Sequence, residues 1–62
     1  MTQEQKQIKN QLTQEAFDYY VWNKNFNDNY ILQKLYNNGF CQSLAKTTLK
    51  SIKYNVLKEY NK

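Results

Sequence analysis

The chain has 62 residues and a net charge of +4, from nine lysines and five acidic residues, with one cysteine, no arginine and no histidine. This length allows one small domain, which we expect to span residues 1–62, and oligomerisation would add buried surface. The composition excludes an internal disulfide and argues against a metal site. No apolar run approaches the roughly 18 residues of a membrane span and the N-terminal segment is polar, which predicts a cytoplasmic protein.

The charge is distributed unevenly along the chain. Residues 1–32 hold three lysines and four acids, a net charge of −1, whereas residues 33–62 hold six lysines and one glutamate, a net charge of +5. The positive excess therefore lies in the second half, where it would attract phosphate groups. Heavy use of Lys, Asn, Tyr and Ile is also typical of AT-rich genomes, so mutational bias accounts for part of this character.

The first helix is predicted over residues 3–23. Thr2 and Gln5 have the spacing of a capping box, and apolar residues recur at intervals of three and four from Ile8 to Val21. The first two turns contain only Ile8 for burial, so we expect the first ten residues to fray.

A second helix is predicted over residues 29–37, after an Asn-rich loop. Asn and Asp bond their own backbone and favour turns over helix interiors, which places the loop at residues 23–29. Within the loop, Phe26 is expected to fold back onto the core. Asp28 or Asn29 is expected to cap the second helix.

Gly39 predicts a sharp end to that second helix. Glycine adopts the left-handed conformation that ends helices, and Phe40 is placed to make the accompanying hydrophobic contact. The third helix is predicted over residues 42–60, with Gln42 or Ser43 near its cap. Its apolar ridge has a clear helical period: Ala45, Leu49, Ile52, Val56 and Tyr60. Because no segment alternates with period two, the expected fold is all-α, a small three-helix bundle.

The chain has few residues suited to catalysis. Glu15 and Asp18 are the only carboxylates three residues apart on one predicted helical face, and a small bundle has little room for a pocket that separates their pKa values. Cys41 has no histidine to activate it, so we expect a buried or half-buried structural thiol. These observations predict that the protein is not an enzyme and has no catalytic residue, metal, cofactor or small-molecule substrate.

Residues 17–22 (FDYYVW) are unusually rich in bulky side chains, with five in six positions. Three of them are expected to face the core: Phe17, Tyr20 and Val21. Tyr19 and Trp22 then face outward, near Phe26 of the loop, where exposed aromatic residues typically anchor protein interfaces. Stacking on nucleic acid bases is an alternative role for them, and a shallow core that simply needs bulky residues is another.

The lysines of the second half offer a different surface. Lys46, Lys50 and Lys53 recur at i, i+4 and i+7, apart from the apolar ridge. Together with two neighbours they form the candidate nucleic-acid surface: Lys34, Lys46, Lys50, Lys53 and Lys58. Lysine lacks the bidentate fork that reads guanine, so such binding would have weak sequence specificity, and a solvated exterior is the alternative. A helix-turn-helix fits poorly, because bulky Leu35 and polar Thr48 would lie at its tight crossing.

The spacing Leu-x-x-x-Gly-Phe-x-x-x-x-Ala-x-x-x-Leu is met by Leu35, Gly39, Phe40, Ala45 and Leu49. Over residues 16–53 it resembles the helical repeat of RecX-type recombination regulators, in the segments "AFDYY", "ILQKLYNNGF" and "LAKTTLKSI". That resemblance implies a three-helix fold and binding to a recombinase or a similar protein filament. The family differs in carrying several repeats and more charge.

The same corner is also similar to that of ubiquitin-associated domains, in which an Asn-Val pair opens the next helix; Asn55-Val56 is the pair that resembles it here. In that family the corner residues bind ubiquitin. The usual Met before Gly-Phe is Asn38 in this chain, which departs from the binding pattern.

From these patterns we predict a non-enzymatic helical interaction protein, a small regulator from a bacterium, phage or mobile element. It would dock Tyr19, Trp22 and neighbouring apolar surface against a protein partner or a second copy of itself. Binding of DNA through the lysines of the third helix is the alternative prediction.

Overall fold

A computed structural model describes residues 2–62, which fold into three helices: α1 (Gln3–Asn23), α2 (Asp28–Asn37) and α3 (Gln42–Tyr60). The described part of the chain contains no strand. The predicted all-α three-helix bundle is therefore confirmed, and every helix boundary lies within one residue of its predicted position. Met1 lies outside the described residues.

Helix α1 begins with the predicted capping box. The Thr2 hydroxyl accepts a hydrogen bond from the Gln5 amide at 3.1 Å, and the Gln5 side chain accepts one from the Thr2 amide at 2.9 Å. The helix is regular from its first turn, and Ile8 packs against the core. It ends at Asn23, after which Lys24 adopts a left-handed conformation and donates its amide hydrogen to the Tyr20 carbonyl at 2.8 Å.

Helix α2 begins one residue earlier than predicted, because Asn27 is its N-cap. The Asn27 side-chain oxygen accepts a hydrogen bond from the Tyr30 amide at 3.2 Å, so the predicted caps, Asp28 and Asn29, are wrong. Each of these three consecutive residues has a side chain that can cap. With Asn27 as the cap, Asp28 lies in the first turn, where the helix dipole favours a carboxylate.

The corner between α2 and α3 is the helix stop that the sequence predicts. Gly39 has a φ of +86°, and its amide donates to the Tyr36 carbonyl at 3.1 Å. The Phe40 amide donates to the Leu35 carbonyl at 3.0 Å, and the Phe40 side chain is buried. These two bonds are the paired contacts of a Schellman motif, closed by a hydrophobic side chain.

Helix α3 begins at Gln42, as predicted, and its N-cap is the preceding residue, Cys41. The Cys41 backbone is extended, as an N-cap requires, but its side chain makes no capping hydrogen bond. The thiol is exposed, contrary to the expected buried or half-buried position, because an N-cap side chain lies outside the helix end. Cys41 therefore does not belong to the core, to which α3 contributes residues from Ala45 onward.

Helix α3 is the centre of the bundle. It packs against both other helices, whereas α1 and α2 contact each other least. The core takes residues from all three helices and from the corner: Leu12, Ala16, Ile31, Leu35, Phe40, Ala45, Leu49, Ile52 and Val56. The predicted ridge of α3 therefore faces inward, except that Tyr60 at its end remains partly exposed.

One polar side chain is buried with this core. Thr48 is 1% exposed, and its hydroxyl has no hydrogen-bond partner. None of the helices described over residues 2–62 has both the length and the apolar character needed to cross a membrane.

Candidate functional site

A largely apolar cleft of about 330 Å³ lies between α1 and α2. It exists because these two helices pack on α3 more closely than on each other. Its walls come from both helices and from the loop between them: Leu12, Glu15, Ala16, Tyr19, Phe26, Asn27, Tyr30 and Ile31. The cleft reaches the lower end of the roughly 300–1,000 Å³ range of ligand-binding pockets.

A hydrogen bond crosses this cleft from one helix to the other. The Tyr30 hydroxyl donates to a Glu15 carboxylate oxygen at 3.0 Å. This bond raises the pKa of Tyr30 above its usual value, because the bond and the nearby negative charge both favour the neutral phenol and partial desolvation adds to them. Glu15 and Tyr30 are both exposed, so this bond forms in contact with solvent.

Two of the three predicted protein-interaction residues line this cleft, and the third lies one helical turn beyond the first of them on α1. Tyr19 and Phe26 line the cleft. Trp22 lies one turn beyond Tyr19 on the same face of α1 and is 85% exposed. An indole this exposed contributes little to the stability of the bundle. The alternative explanation, that a shallow core needs bulky residues, therefore does not account for Trp22.

The neighbouring bulky residues that were expected to face the core do so, with the exception of Val21. Phe26 folds back onto the core, and its ring stacks on Tyr20 with centroids 4.9 Å apart. Tyr20 also meets Tyr60 edge-on at 5.0 Å, and Phe17 packs against the core. Val21 is exposed, contrary to prediction, because its position on α1 lies outside the arc that α2 and α3 cover.

The five predicted nucleic-acid lysines do not share one face. Lys53 is half-buried: its ammonium lies 2.8 Å from the Asp28 carboxylate and 5.7 Å from the Phe26 ring centroid. Lys34 lies on α2, with its ammonium 5.6 Å from the Tyr30 ring centroid. The other three are exposed on α3: Lys46, Lys50 and Lys58. They therefore form a separate group.

One exposed aromatic residue within that group was not predicted from the sequence. Tyr54 is 66% exposed, four residues after Lys50 and four before Lys58. On a helix this spacing places the three side chains on one face. The signal was available, because position 54 lies away from the apolar ridge of α3.

The two carboxylates considered for catalysis bond to different partners. Glu15 bonds to Tyr30, whereas the Asp18 carboxylate accepts a hydrogen bond from Gln14 at 3.3 Å. Cys41 lies at the start of α3. Within residues 2–62 no three cysteine, aspartate or glutamate side chains come together as a group that could hold a metal ion.

The fold and these surfaces define a small three-helix protein with an aromatic cleft on α1 and α2 and a lysine-rich face on α3. No protein-family model matches the chain, and no curated protein and no solved structure matches it significantly. The resemblances to RecX-type regulators and to ubiquitin-associated domains therefore stay predictions.

Proposed function

We propose that this chain is a non-enzymatic protein-interaction module, a small regulator that binds a basic segment of a partner protein at the cleft between α1 and α2. The observation that carries the proposal is the 85% exposure of Trp22, one helical turn beyond Tyr19, which lines an apolar cleft. Large apolar residues left in water next to a concave surface are typical of binding sites.

Burial of Trp22 in an interface would supply a large favourable contribution to binding. An aromatic side chain buries about 150–250 Å² in an interface, which at about 25 cal/mol/Å² corresponds to roughly 4–6 kcal/mol before the costs of association. Tyr19 would add to this, since it is also partly exposed at the cleft. In protein interfaces a few such aromatic anchors typically carry most of the binding energy.

The charge around Trp22 favours a basic partner. Asp18 and Glu15 lie one and two turns before Trp22 on the same stripe of α1, and no lysine lies on that stripe. A lysine or arginine of the partner would meet a carboxylate there and the face of an aromatic ring. We therefore expect an apolar side chain in the cleft, flanked by cationic residues.

Selection from a library of random displayed peptides tests this proposal. Peptides enriched on the wild-type chain are expected to carry an apolar anchor next to Lys or Arg. The Trp22→Ala variant should bind them at least about thirtyfold more weakly, because loss of such an anchor costs about 2 kcal/mol or more. Tyr54→Ala is the matched control, an exposed aromatic residue on another helix, and should bind normally.

Two outcomes would overturn the proposal. One is an absence of enriched peptides on the wild-type chain. The other is enrichment of peptides that bind folded Trp22→Ala as tightly as wild type. Sedimentation of the wild-type chain alone, at increasing concentration, determines whether a second copy occupies the cleft, in which case Trp22→Ala should give a monomer.

A further inference from the structure

The exposed face of α3 combines positive charge with an aromatic ring. Lys46, Lys50, Tyr54 and Lys58 follow one another at intervals of four residues, and all four are exposed. At 1.5 Å per residue they form a stripe about 18 Å long, with neighbours about 6 Å apart. Tyr54 therefore lies between ammonium groups and presents its ring to solvent.

The charge of this stripe is not neutralised by the protein. Among residues 2–62 only two ion pairs form, Lys53 with Asp28 at 2.8 Å and Lys62 with Glu59 at 3.6 Å. Glu59 is the only acidic residue of α3, and it is set on another side of the helix from Tyr54. A polyanion would meet three lysines here without a competing carboxylate.

The arrangement favours a single strand over a duplex. Proteins that bind single strands without sequence preference pair cations that follow the phosphates with aromatic rings on which unpaired bases stack. Bases in a duplex are already stacked, so an exposed ring on the outer face of a helix gains nothing from them. Lysine also lacks the fork that reads base edges in the major groove.

We propose that α3 binds single-stranded nucleic acid, with one base stacked on Tyr54 and the adjoining phosphates held by Lys46, Lys50 and Lys58. This site is separate from the cleft between α1 and α2 and does not depend on the protein-binding role. Of the five predicted lysines it keeps Lys46, Lys50 and Lys58. It leaves out Lys53, whose ammonium pairs with Asp28, and Lys34, which lies on α2.

Fluorescence anisotropy with labelled strands of about 12 nucleotides tests the site, a length within the range that small single-strand binders cover. The probes are oligo(dT), oligo(U), an abasic strand of equal length and a duplex. Wild type should bind dT and U with a Kd of about 10–100 µM in about 50 mM salt. Because only unpaired bases stack on the ring, the abasic strand and the duplex should each bind about tenfold more weakly.

Three measurements separate stacking from charge. Tyr54→Ala should weaken binding of oligo(dT) about tenfold and leave binding of the abasic strand unchanged. Raising salt from about 50 to about 200 mM should weaken wild-type binding about twentyfold, as three phosphate contacts on a single strand imply. Replacing Lys46, Lys50 and Lys58 together by Gln should remove this salt dependence.

Matched variants exclude a general charge effect and loss of folding. Replacing Lys6, Lys34 and Lys62 together by Gln removes the same charge elsewhere and should leave most of the binding. Trp22→Ala should bind like wild type, and circular dichroism establishes that each variant is helical. Any of three results would overturn the proposal. The first is no binding of oligo(dT) or oligo(U) at about 1 mM protein in low salt, and the second is an equal loss of affinity in the two triple-lysine variants. The third is normal binding of oligo(dT) by folded Tyr54→Ala.

Discussion

The Lys53 ammonium lies 2.8 Å from the Asp28 carboxylate and joins α3 to the first turn of α2. The two side chains are about one-third and one-half exposed, at 33% and 46%. Solvent therefore screens the pair, and it is worth at most about 1 kcal/mol. Its structural effect is to fix how the beginning of α2 sits on α3.

Replacing Asp28 by Asn should lower the free energy of unfolding by up to about 1 kcal/mol, since both the ion pair and the favourable position at the start of α2 are lost. Urea denaturation at low and high salt measures the loss in the free energy of unfolding. This loss should be smaller at high salt, because salt screens the ion pair. Glu59→Gln is the control, because its pair with Lys62 is longer, at 3.6 Å, and more exposed. An equal loss of stability in both variants would contradict this assignment.

Replacing Thr48 by Val should stabilise the protein by about 1 kcal/mol. The buried hydroxyl has no partner, and the valine methyl occupies the same space without that penalty. For a domain of this size the thermal midpoint should rise by about 4–8 °C. Thr47→Val, at the preceding residue, is the control. The Thr47 hydroxyl is exposed and donates to the Ser43 carbonyl at 3.1 Å, so its removal should not raise the thermal midpoint. A fall in the midpoint of Thr48→Val would mean that the hydroxyl is satisfied in solution.

Replacing Gly39 by Ala should destabilise the protein by about 1 kcal/mol. No atom would meet the new methyl group within 4 Å, so the cost comes from the positive φ of 86° and not from a clash. Asn tolerates left-handed conformations better than Ala does, so Gly39→Asn should be less destabilising. Chemical denaturation of both variants measures the difference. If Ala and Asn cost the same, conformational strain is not the cause.

The bond between Tyr30 and Glu15 should make stability depend on pH at the alkaline end. The pKa of Tyr30 in the folded protein is raised above its ordinary value of 10.0, chiefly by the bond to Glu15. The stabilising contribution is therefore fully present below the unfolded pKa and is lost as the pH rises through the folded pKa. Glu15→Gln should lower the pKa of Tyr30 toward its ordinary value.

A pH titration of the tyrosine ring resonances by NMR measures this shift directly. Tyr30→Phe should remove the resonances assigned to Tyr30, which establishes the assignment. An unshifted Tyr30 in the wild-type chain would show that the bond across the cleft does not persist in solution.

Replacing Cys41 by Ser should stabilise α3 by about 0.5–2 kcal/mol. Cys41 is the N-cap, with extended backbone and no side-chain capping bond, and serine oxygen is among the preferred caps. Thermal denaturation measures the gain. Cys41→Ala is the matched control and should give no gain in stability, because alanine cannot cap. The comparison distinguishes the effect of a capping bond from the effect of removing an exposed thiol.

Much of the fold is encoded locally and could be predicted from the sequence. The capping box at Thr2, the Asn-rich loop and Gly39 act within a few residues of chain, and the apolar period of α3 marks its inner face. These signals are physical constraints on the backbone or on one helical face. They set the three helices and the exposed position of Trp22.

Only the tertiary structure decided how the helices sit on one another. Periodicity gives the inner face of each helix but not the gap between two helices, so the cleft beside Tyr19 could not be predicted. The pairing of Lys53 with Asp28 joins residues 25 positions apart, and it removed Lys53 from the exposed lysines. Thr48 shows the same limit, because its burial depends on which arc of α3 the other helices cover. Local interactions fix the helices, whereas packing between helices fixes the surfaces.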